Sequence, residues 1–303
     1  MIRPSSFRMN EQTAVNNYYQ QNLSGMLPAA INARAQKEFD DFVKALQEKG
    51  IDVIVVRDTE TPSTPDAIFP NNWISFHENG DVALYPMFAE NRRLERREDV
   101  LEILEEQGFV IENVIDYSEA EQEAVFLEGT GSLVLDREHR KAYCALSSRA
   151  NEELCIEFCE DFEYTPVIFS AKQTVNEQRE AIYHTNVMLC IAEEFAVVCL
   201  DCIDDKKERK NVRNHLKESG KDIVQVTEQQ VAQFAGNMLQ IKNKDQQNYL
   251  VMSSAAHASL TKQQEEKITK YTPILHSSLE VIETCGGGSA RCMMAEVFLP
   301  KYK

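Results

Sequence analysis

The sequence lacks the segments that would place it in a membrane or export it. No apolar run approaches the ~20 residues that a membrane helix needs, and no apolar stretch follows the basic residues of MIRPSSFRMNEQTAVNNYYQ at the N-terminus. It also lacks a linker or low-complexity segment that would divide it. We therefore expect a soluble, cytoplasmic protein with no membrane partner, folded as a single domain over residues 1–303.

Basic residues are fewer than acidic residues. Lysine and arginine together number 32 against 49 acidic residues, which gives a net charge of -17. Such a surface repels nucleic acid and anionic lipid, so we expect no nucleic-acid partner. The 8 cysteines are too sparse for a small disulfide scaffold and are expected to be mostly reduced thiols. With 43% hydrophobic residues, the chain can bury a substantial core.

A pattern of paired strands recurs along the chain. Each pair consists of two β-rich runs around a charged or amide-rich turn, at intervals of roughly 50–60 residues. The four pairs are WISFHENGDVALYPM from Trp73, SLVLDREHRKAYCAL from Ser132, VMLCIAEEFAVVCL from Val187 and MLQIKNKDQQNYLVM from Met238. The pattern predicts four β-hairpins.

A charged helical stretch and a short apolar strand follow each hairpin. The predicted helices span 90–107, 149–162, 206–219 and 260–271, and the predicted strands are FVIENVI, TPVIF, DIVQV and LEVIETC. A fifth unit is divided between the termini, with a strand in MMAEVFL, a helix over 33–49 and a strand in IDVIVV. We predict an α/β fold, a five-bladed pseudo-symmetric ββαβ propeller; an ordinary open α/β sheet is the alternative.

Reactive residue types occupy one equivalent position in this repeat, just ahead of the first hairpin strand. The residues there are Asp66 and Asn71–Asn72, Glu128, His184 and Asn186, Gly236–Asn237, and Cys292. A thiol attacks as its thiolate, a histidine can take its proton, and a carboxylate can orient the histidine. Singly, each has a structural explanation, such as a buried core thiol for Cys292, but their shared position favours catalysis.

Three consecutive glycines precede the cysteine in CGGGSARCM. In a chain with only 11 glycines, this run predicts a loop that approaches a ligand closely and presents Cys292 to it. Backbone amides of Gly287 and Gly288 could then face developing negative charge. A flexible turn would account for the glycines but not for the cysteine that follows them.

Four motifs in order resemble the guanidino-group-modifying superfamily, which includes arginine deiminases, dimethylarginine dimethylaminohydrolases and amidinotransferases. The motifs are TPDAIFPNNW, FLEGTGS, YHTN and GGGSARCM. The resemblance covers nearly the whole chain and implies the pentein fold, a five-bladed propeller. It also implies that Cys292 is the nucleophile, His184 the general acid/base and Glu128 a carboxylate that bonds the substrate nitrogen or the histidine.

The resemblance extends to residues that would hold an amino-acid substrate. It implies that Arg149 binds the α-carboxylate, that Arg93 or its neighbour Arg92 does the same, and that Asp66 lies near the α-amino group. For Arg149 and for this arginine pair, a solvated helix-terminal charge is the alternative. The expected partner is therefore a small amino acid, and a homodimer is compatible with the sequence.

Two asparagines depart from the deiminase pattern. Deiminases commonly have aspartates where this chain has Asn72 and Asn186. A guanidinium offers only donors and suits carboxylates, whereas an uncharged ureido group offers both donors and an acceptor. The resemblance is therefore strongest to the citrulline-utilisation hydrolase branch of this superfamily, which implies hydrolysis of citrulline to ornithine, ammonia and carbon dioxide. A deiminase or dimethylaminohydrolase acting on arginine or dimethylarginine, an amidinotransferase, and an inactive amino-acid-binding protein remain alternatives.

No metal or organic cofactor is expected. The pairs Cys199 and Cys202, and Cys155 and Cys159, have spacings found in metal sites, but the first lies in a strand pattern and the second on a helix. We interpret them as core or surface thiols. The polar stretch over 9–21 is interpreted as a surface segment, with a lid as the alternative.

Overall fold

The computed structural model describes residues 1–302, and its mixed α/β fold contains four three-stranded sheets of one design. In each sheet two consecutive strands are antiparallel, and the third, reached through helix, lies parallel to the second. The strands are Ile74–Phe76, Asp81–Leu84 and Asn113–Asp116 (unit one); Leu133–Asp136, Lys141–Leu146 and Thr165–Ser170 (unit two); Leu189–Ile191, Phe195–Val198 and Asp222–Gln225 (unit three); and Leu239–Lys242, Asn248–Ser253 and Ile274–Ser277 (unit four).

The crossover helices fall within the four predicted stretches except Ser254–Ser259, which precedes the stretch 260–271. They are Glu90–Arg93 and Asp99–Glu106 in unit one, Glu152–Asp161 in unit two, Lys206–Glu218 in unit three, and Ser254–Ser259 with Lys262–Thr269 in unit four. Local caps explain several starts: Asn151 accepts from the amide of Leu154, and Asp205 accepts from the amides of residues 207 and 208. None of the helices in residues 1–302 is both long and apolar enough to cross a membrane.

A single helical turn stands immediately before the first strand of three units. These turns are Pro70–Asn72, Gly129–Ser132 and Thr185–Val187, and a fourth, Ala290–Met293, lies near the C-terminus. In unit four the helix Glu228–Val231 leads into a turn that ends at Asn237. The turn of unit two packs against the turns of units one and three, and the C-terminal turn packs on that of unit one. Equivalent positions of the repeat therefore meet in the interior.

The terminal segments form less regular structure than the sequence predicts. The helix Pro28–Glu48 buries Phe39, Phe42 and Leu46, and Ile2–Arg3 pairs in parallel with Val56–Arg57. Most of IDVIVV and all of MMAEVFL lie outside assigned strands, although the amide of Val110 donates to the carbonyl of Pro300. With so few ladder hydrogen bonds, the predicted fifth unit is present as helix and extended chain.

The predicted strand LEVIETC is instead a helix, Glu280–Gly286, and the strand of unit four is the preceding Ile274–Ser277. The carboxylate of Glu38, on the first long helix, accepts from the amides of Val281 and Ile282 at 3.0–3.1 Å. This cap comes from a residue more than 240 positions away, and a local pattern cannot reveal it.

A further hairpin, Lys172–Val175 with Gln178–Ala181, precedes the histidine motif and is absent from the sequence prediction. Its turn residues, Asn176 and Glu177, have φ of 48° and 67°. Such left-handed turns usually contain glycine, and without one this turn has no strong local sequence signal.

Candidate active site

One buried region contains Glu128, His184 and Cys292, which come from three different parts of the chain. Their exposed fractions are 0%, 2% and 3%. Glu128 and His184 stand at the N-terminal ends of the turns Gly129–Ser132 and Thr185–Val187, and Cys292 lies within Ala290–Met293. Because the first two turns precede equivalent strands, the repeat brings Glu128 and His184 together, and the C-terminal turn, which no assigned strand follows within residues 1–302, adds Cys292.

The histidine and the glutamate are directly bonded. Nε2 of His184 lies 2.8 Å from Oε2 of Glu128, while Oε1 of Glu128 accepts from the backbone amide of Phe88 at 3.0 Å. Burial lowers the pKa of His184 to about 4, although the Glu128 hydrogen bond opposes this shift. For Glu128, burial acts to raise the pKa, but Arg149 and His184 outweigh it and hold the pKa below its usual range. At neutral pH the pair is therefore an imidazole and a carboxylate.

The other ring nitrogen of His184 faces a glycine. Nδ1 has no hydrogen-bond partner within residues 1–302, and a Cβ built on Gly131 would lie 2.8 Å from it. The same Cβ would lie 2.5 Å from Nδ2 of Asn72. Since Nε2 donates its proton to Glu128, Nδ1 is the proton acceptor of the neutral ring. The absence of a side chain at Gly131 leaves room for both groups.

Two asparagine amides flank the sulfur of Cys292. Nδ2 of Asn237 donates to Sγ at 3.2 Å, and Nδ2 of Asn186 lies 3.6 Å from it. Asn237 also donates to the backbone carbonyl of Asn186 and accepts from the amide of Arg291. The thiol is thus held against amide donors, which are suited to stabilise negative charge on sulfur.

Arg92 fixes the orientation of Asn72. Its Nη1 donates to Oδ1 of Asn72 at 2.9 Å, and its other nitrogens bond Glu95 and backbone carbonyls. A guanidinium has no acceptor, so the amide oxygen of Asn72 must face Arg92. The NH2 group of Asn72 therefore points to Asn71 and to the space beside His184.

Arg149 and Asp66 lie at the same site but are bonded to the N-terminal segment 9–21. Arg149 lies 3.4 Å from Glu128 and donates to the carbonyl of Thr13 and the side chain of Asn16. One oxygen of Asp66 accepts from Asn10 at 2.8 Å and from Thr13 at 3.0 Å. The other, Oδ1, is buried and has no hydrogen-bond partner in the part of the chain that the structure describes.

The segment 9–21 covers the site, contrary to its interpretation as a surface stretch. Asn10, Thr13 and Asn17 are buried, with exposed fractions of 0%, 1% and 4%. Asn17 donates to the carbonyl of Gly287, and Gln20 donates to that of Gly286. The polar composition that resembles an exposed segment instead supplies hydrogen bonds to buried partners, as a lid requires.

The glycine loop and the arginine pair differ in part from expectation. Gly287 has φ of +61° and ends the helix before it, but its amide donates to the carbonyl of Glu283 and is not free for a ligand. Gly288 packs beside Cys292. Of the arginine pair, Arg92 is buried at the site, whereas Arg93 bonds the carbonyl of Met87 and is 28% exposed beside Glu121.

Several residues at the site were outside the predicted set. Asn237 occupied the recurrent position, but without a charge or nucleophile it gave a weak signal. Gly131 lay within the FLEGTGS motif and was not singled out. Tyr183 donates a short hydrogen bond to the carbonyl of Gly287, and burial raises its pKa well above the usual value. Its position next to His184 was the available clue.

A family comparison classifies the chain. The family model described as N,N dimethylarginine dimethylhydrolase, eukaryotic, matches residues 3–299. The chain belongs to this family. It is accordingly a member of the guanidino-group-modifying superfamily and a hydrolase of non-peptide carbon–nitrogen bonds. No curated protein sequence gives a significant match.

Solved structures share the fold at low sequence identity. ArgZ, an arginine dihydrolase from the ornithine–ammonia cycle in cyanobacteria, has a TM-score of 0.74 and 17% identity over 100% of this chain, which spans 40% of that protein. Its N-terminal domain bound to substrate gives a TM-score of 0.70 at 17% identity, over 99% and 98% of the two chains. A dimethylarginine dimethylaminohydrolase variant gives 0.64 at 14% identity, over 96% of each chain.

Proposed function

We propose that this enzyme hydrolyses the ureido group of citrulline, with Cys292 as the nucleophile. The observation that carries the proposal is the fixed amide of Asn72. Its oxygen is bound by Arg92, so it presents an NH2 donor to the space beside His184. A donor at this position can bond the carbonyl oxygen of a ureido group but opposes the donors of a guanidinium.

The amides near the sulfur support the same substrate class. Nδ2 atoms of Asn186 and Asn237 lie 3.6 Å and 3.2 Å from Sγ of Cys292. Neutral amides at these positions do not attract a cation as carboxylates would, and they can donate to an oxygen that gains negative charge. An uncharged carbonyl compound is the ligand that best matches this set of groups.

The charged residues of the site suit the other end of an amino acid. The partnerless Oδ1 of Asp66 can accept from an α-ammonium group, and Arg149 can bind an α-carboxylate through paired donors. In the structure described above, Thr13 and Asn16 occupy the donors of Arg149. Binding in this mode therefore requires the segment 9–21 to exchange these bonds for bonds to the substrate.

The reaction then proceeds through a covalent intermediate. The thiolate of Cys292 attacks the ureido carbon, and the tetrahedral oxyanion accepts hydrogen bonds from asparagine amides. The bond from this carbon to the ornithine nitrogen breaks, and that nitrogen takes from Nδ1 of His184 the proton that Nδ1 removed from the Cys292 thiol to form the thiolate. Water, deprotonated by His184, attacks the carbamoyl thioester and returns the electron pair of the C–S bond to sulfur. The carbamate released yields ammonia and carbon dioxide, with no cofactor needed.

Hydrolysis of arginine or a methylated arginine is the second candidate. The family description names dimethylarginine, and the carboxylates of Glu128 and Asp66 both reach the site. Both carboxylates already have cationic or hydrogen-bonding partners, however, which reduces their capacity to neutralise a guanidinium. Amidino transfer to an amine is a third outcome, and it would need an amine acceptor in place of water.

A substrate comparison tests the proposal. The enzyme is incubated separately with citrulline, arginine and dimethylarginine, and ornithine, citrulline, dimethylamine and ammonia are measured. Ornithine and ammonia from citrulline, lost in Cys292→Ala, are the expected result. Citrulline formed from arginine or dimethylarginine, with citrulline itself stable, would contradict it. Adding glycine to the arginine reaction detects amidino transfer.

We also propose that the terminal segments complete a five-bladed, single-domain ring. The helix Pro28–Glu48, the parallel pair Ile2–Arg3 with Val56–Arg57, and the contact of residue 110 with residue 300 supply the parts of a fifth unit. Five equivalent units around one axis would explain why their first turns meet at one site.

A further inference from the structure

Asn237 is a fully bonded amide that touches the sulfur of Cys292. Its exposed fraction is 0%, and none of its polar atoms is left without a partner. Oδ1 accepts from the backbone amide of Arg291 at 3.1 Å, and Nδ2 donates to the backbone carbonyl of Asn186 at 3.1 Å and to Sγ at 3.2 Å. The side chain thus connects units three and four to the nucleophile.

The orientation of this amide cannot reverse. A backbone N–H only donates and a backbone carbonyl only accepts, so the contacts with Arg291 and Asn186 assign the oxygen and nitrogen of Asn237 on chemical grounds. A flipped amide would place its NH2 group against the N–H of Arg291 and its oxygen against the carbonyl oxygen of Asn186. The Asn186 side chain is held less strictly, since its oxygen and nitrogen lie 3.9 Å and 3.6 Å from Sγ.

We infer that Asn237 is a catalytic residue whose N–H stabilises the thiolate of Cys292. The inference rests on the proposed function in one respect, that Cys292 is the nucleophile, and it holds for any substrate that Cys292 attacks. A hydrogen bond to a charged sulfur is stronger than one to a neutral thiol, so the contact favours the ionised form.

The same contact acts twice in one turnover. It stabilises the thiolate before attack, and it stabilises the sulfur again when water adds to the carbamoyl thioester, the C–S bond breaks and its electron pair returns to sulfur. An amide that is already bonded in place needs no rearrangement at either moment.

Neighbouring titratable groups would not obscure a measurement of this ionisation. Burial raises the pKa of Tyr183 well above its usual value, so the phenol stays neutral. Burial lowers the pKa of His184 to about 4, and the pKa of Glu128 lies below its usual range. Burial acts to lower the pKa of Arg92, but the carboxylates of Glu95, Asp66 and Glu128 outweigh it and raise this pKa, so the guanidinium stays cationic. A pH dependence measured on the sulfur between about pH 5 and pH 9 is therefore not caused by Tyr183, His184 or Glu128.

The test is the rate of alkylation of Cys292 by iodoacetamide as a function of pH, followed by peptide mass spectrometry because the chain has seven other cysteines. In the unmodified enzyme, we expect a midpoint below the value near pH 8.5 of a free cysteine. Asn237→Asp, which keeps the size and the bond to Arg291, should move the midpoint up by about one pH unit or more and slow alkylation at pH 7 about tenfold.

Asn243→Asp is the matched control. Asn243 is also buried, donates to the carbonyl of Lys49 and accepts from backbone amides, but it lies outside the site. Its variant should keep the original midpoint. An unchanged midpoint in Asn237→Asp and in Asn237→Ala, or a midpoint at or above that of a free cysteine in the unmodified enzyme, overturns the inference. If Asn237→Ala folds and Asn237→Asp does not, the midpoint of Asn237→Ala alone tests the inference.

These outcomes are separate from those of the substrate test. Alkylation involves no amino-acid substrate, so an enzyme that acts on arginine instead of citrulline would still show the shift. Conversely, citrulline turnover with no shift would leave the proposed function intact and remove the role of Asn237. Turnover by Cys292→Ala would remove both.

Discussion

Oε2 of Glu128 accepts a hydrogen bond from Nε2 of His184 at 2.8 Å, while Oε1 of the same carboxylate is held by the backbone amide of Phe88. The two bonds together select the tautomer of His184 in which Nδ1 carries the lone pair. We therefore expect a substitution of Glu128 to change the rate of proton transfer by His184.

Glu128→Gln should lower kcat by about 10²–10⁴-fold, the usual contribution of a general acid/base. Because the Phe88 amide holds the side-chain oxygen, the new NH2 group faces Nε2 of His184 and drives its proton to Nδ1. Steady-state ammonia release measures the loss, and circular dichroism checks the fold. Near-normal kcat in a folded variant would remove the tautomer argument.

Asn72→Asp should weaken the use of citrulline. The variant loses the donor fixed by Arg92 and places a carboxylate near the ureido carbonyl, so kcat/KM for citrulline should fall by about 10²-fold or more relative to that for arginine. The ratio of the two kcat/KM values is the measurement. Exposed Asn113→Asp adds the same charge away from the site and should leave the ratio unchanged.

Gly131→Ala should inactivate the enzyme without unfolding it. The new methyl group would lie 2.5 Å from Nδ2 of Asn72 and 2.8 Å from Nδ1 of His184, so one of the two groups must move. Displacements of this size at reacting groups cost about 10²-fold in rate. A variant with normal melting temperature and normal turnover would show that the space beside Nδ1 is not used.

Thr13→Val should increase local opening of the segment 9–21. The change keeps the shape of the side chain but removes the 3.0 Å hydrogen bond to the buried carboxylate of Asp66. Loss of a bond to a charged group costs about 1.5–3 kcal/mol, so amide exchange in the segment should speed up by about tenfold or more. Exposed Thr269→Val serves as the control, and equal exchange rates in the two variants would argue against a lid held by Asp66.

Acid should destabilise the protein through its buried histidines. Burial lowers the pKa of His77 to about 3, with Arg137 and Arg140 contributing, and burial lowers that of His184 to about 4. An unfolded histidine titrates near pH 6.5, so between pH 6.5 and about 4 the unfolded chain binds more protons. Stability is therefore full above pH 6.5 and is lost as the pH falls.

His77→Gln isolates one of these contributions. At pH 4, its pH-dependent loss of unfolding free energy relative to pH 7 should be smaller than that of the unmodified protein by about 3 kcal/mol. Urea unfolding at a series of pH values measures it. Partly exposed His257→Gln is the control, and identical pH slopes in all three proteins would contradict the role of His77.

The repeat made much of the fold predictable. Each hairpin carries strong local signals, such as Asn79 and Gly80 in a turn where Gly80 has φ of +90°. The recurrent position then grouped Glu128, His184 and Cys292 before any contact was known, and they lie together in the buried site. Periodicity sufficed because local strand and helix signals agreed with the overall arrangement.

What failed to follow from the sequence depends on distant contacts. Glu38 caps the helix at Val281, and Arg92 orients Asn72; neither relation leaves a local pattern. The segment 9–21 resembles a surface stretch because its asparagines and glutamines are as polar as a solvated surface. Only the buried partners, such as Asp66 and the carbonyl of Gly287, distinguish a lid from a loop.

The single helical turns that precede the strands have a consequence for how the enzyme matures. Glu128 and His184 are 56 positions apart, Asn237 and Cys292 are 55 apart, and Asn17 reaches Gly287 across 270. Each such contact closes a long loop, and contacts of this kind form slowly. During refolding, helical signal should therefore return first and turnover last, which makes catalytic activity a stringent report that every unit has docked.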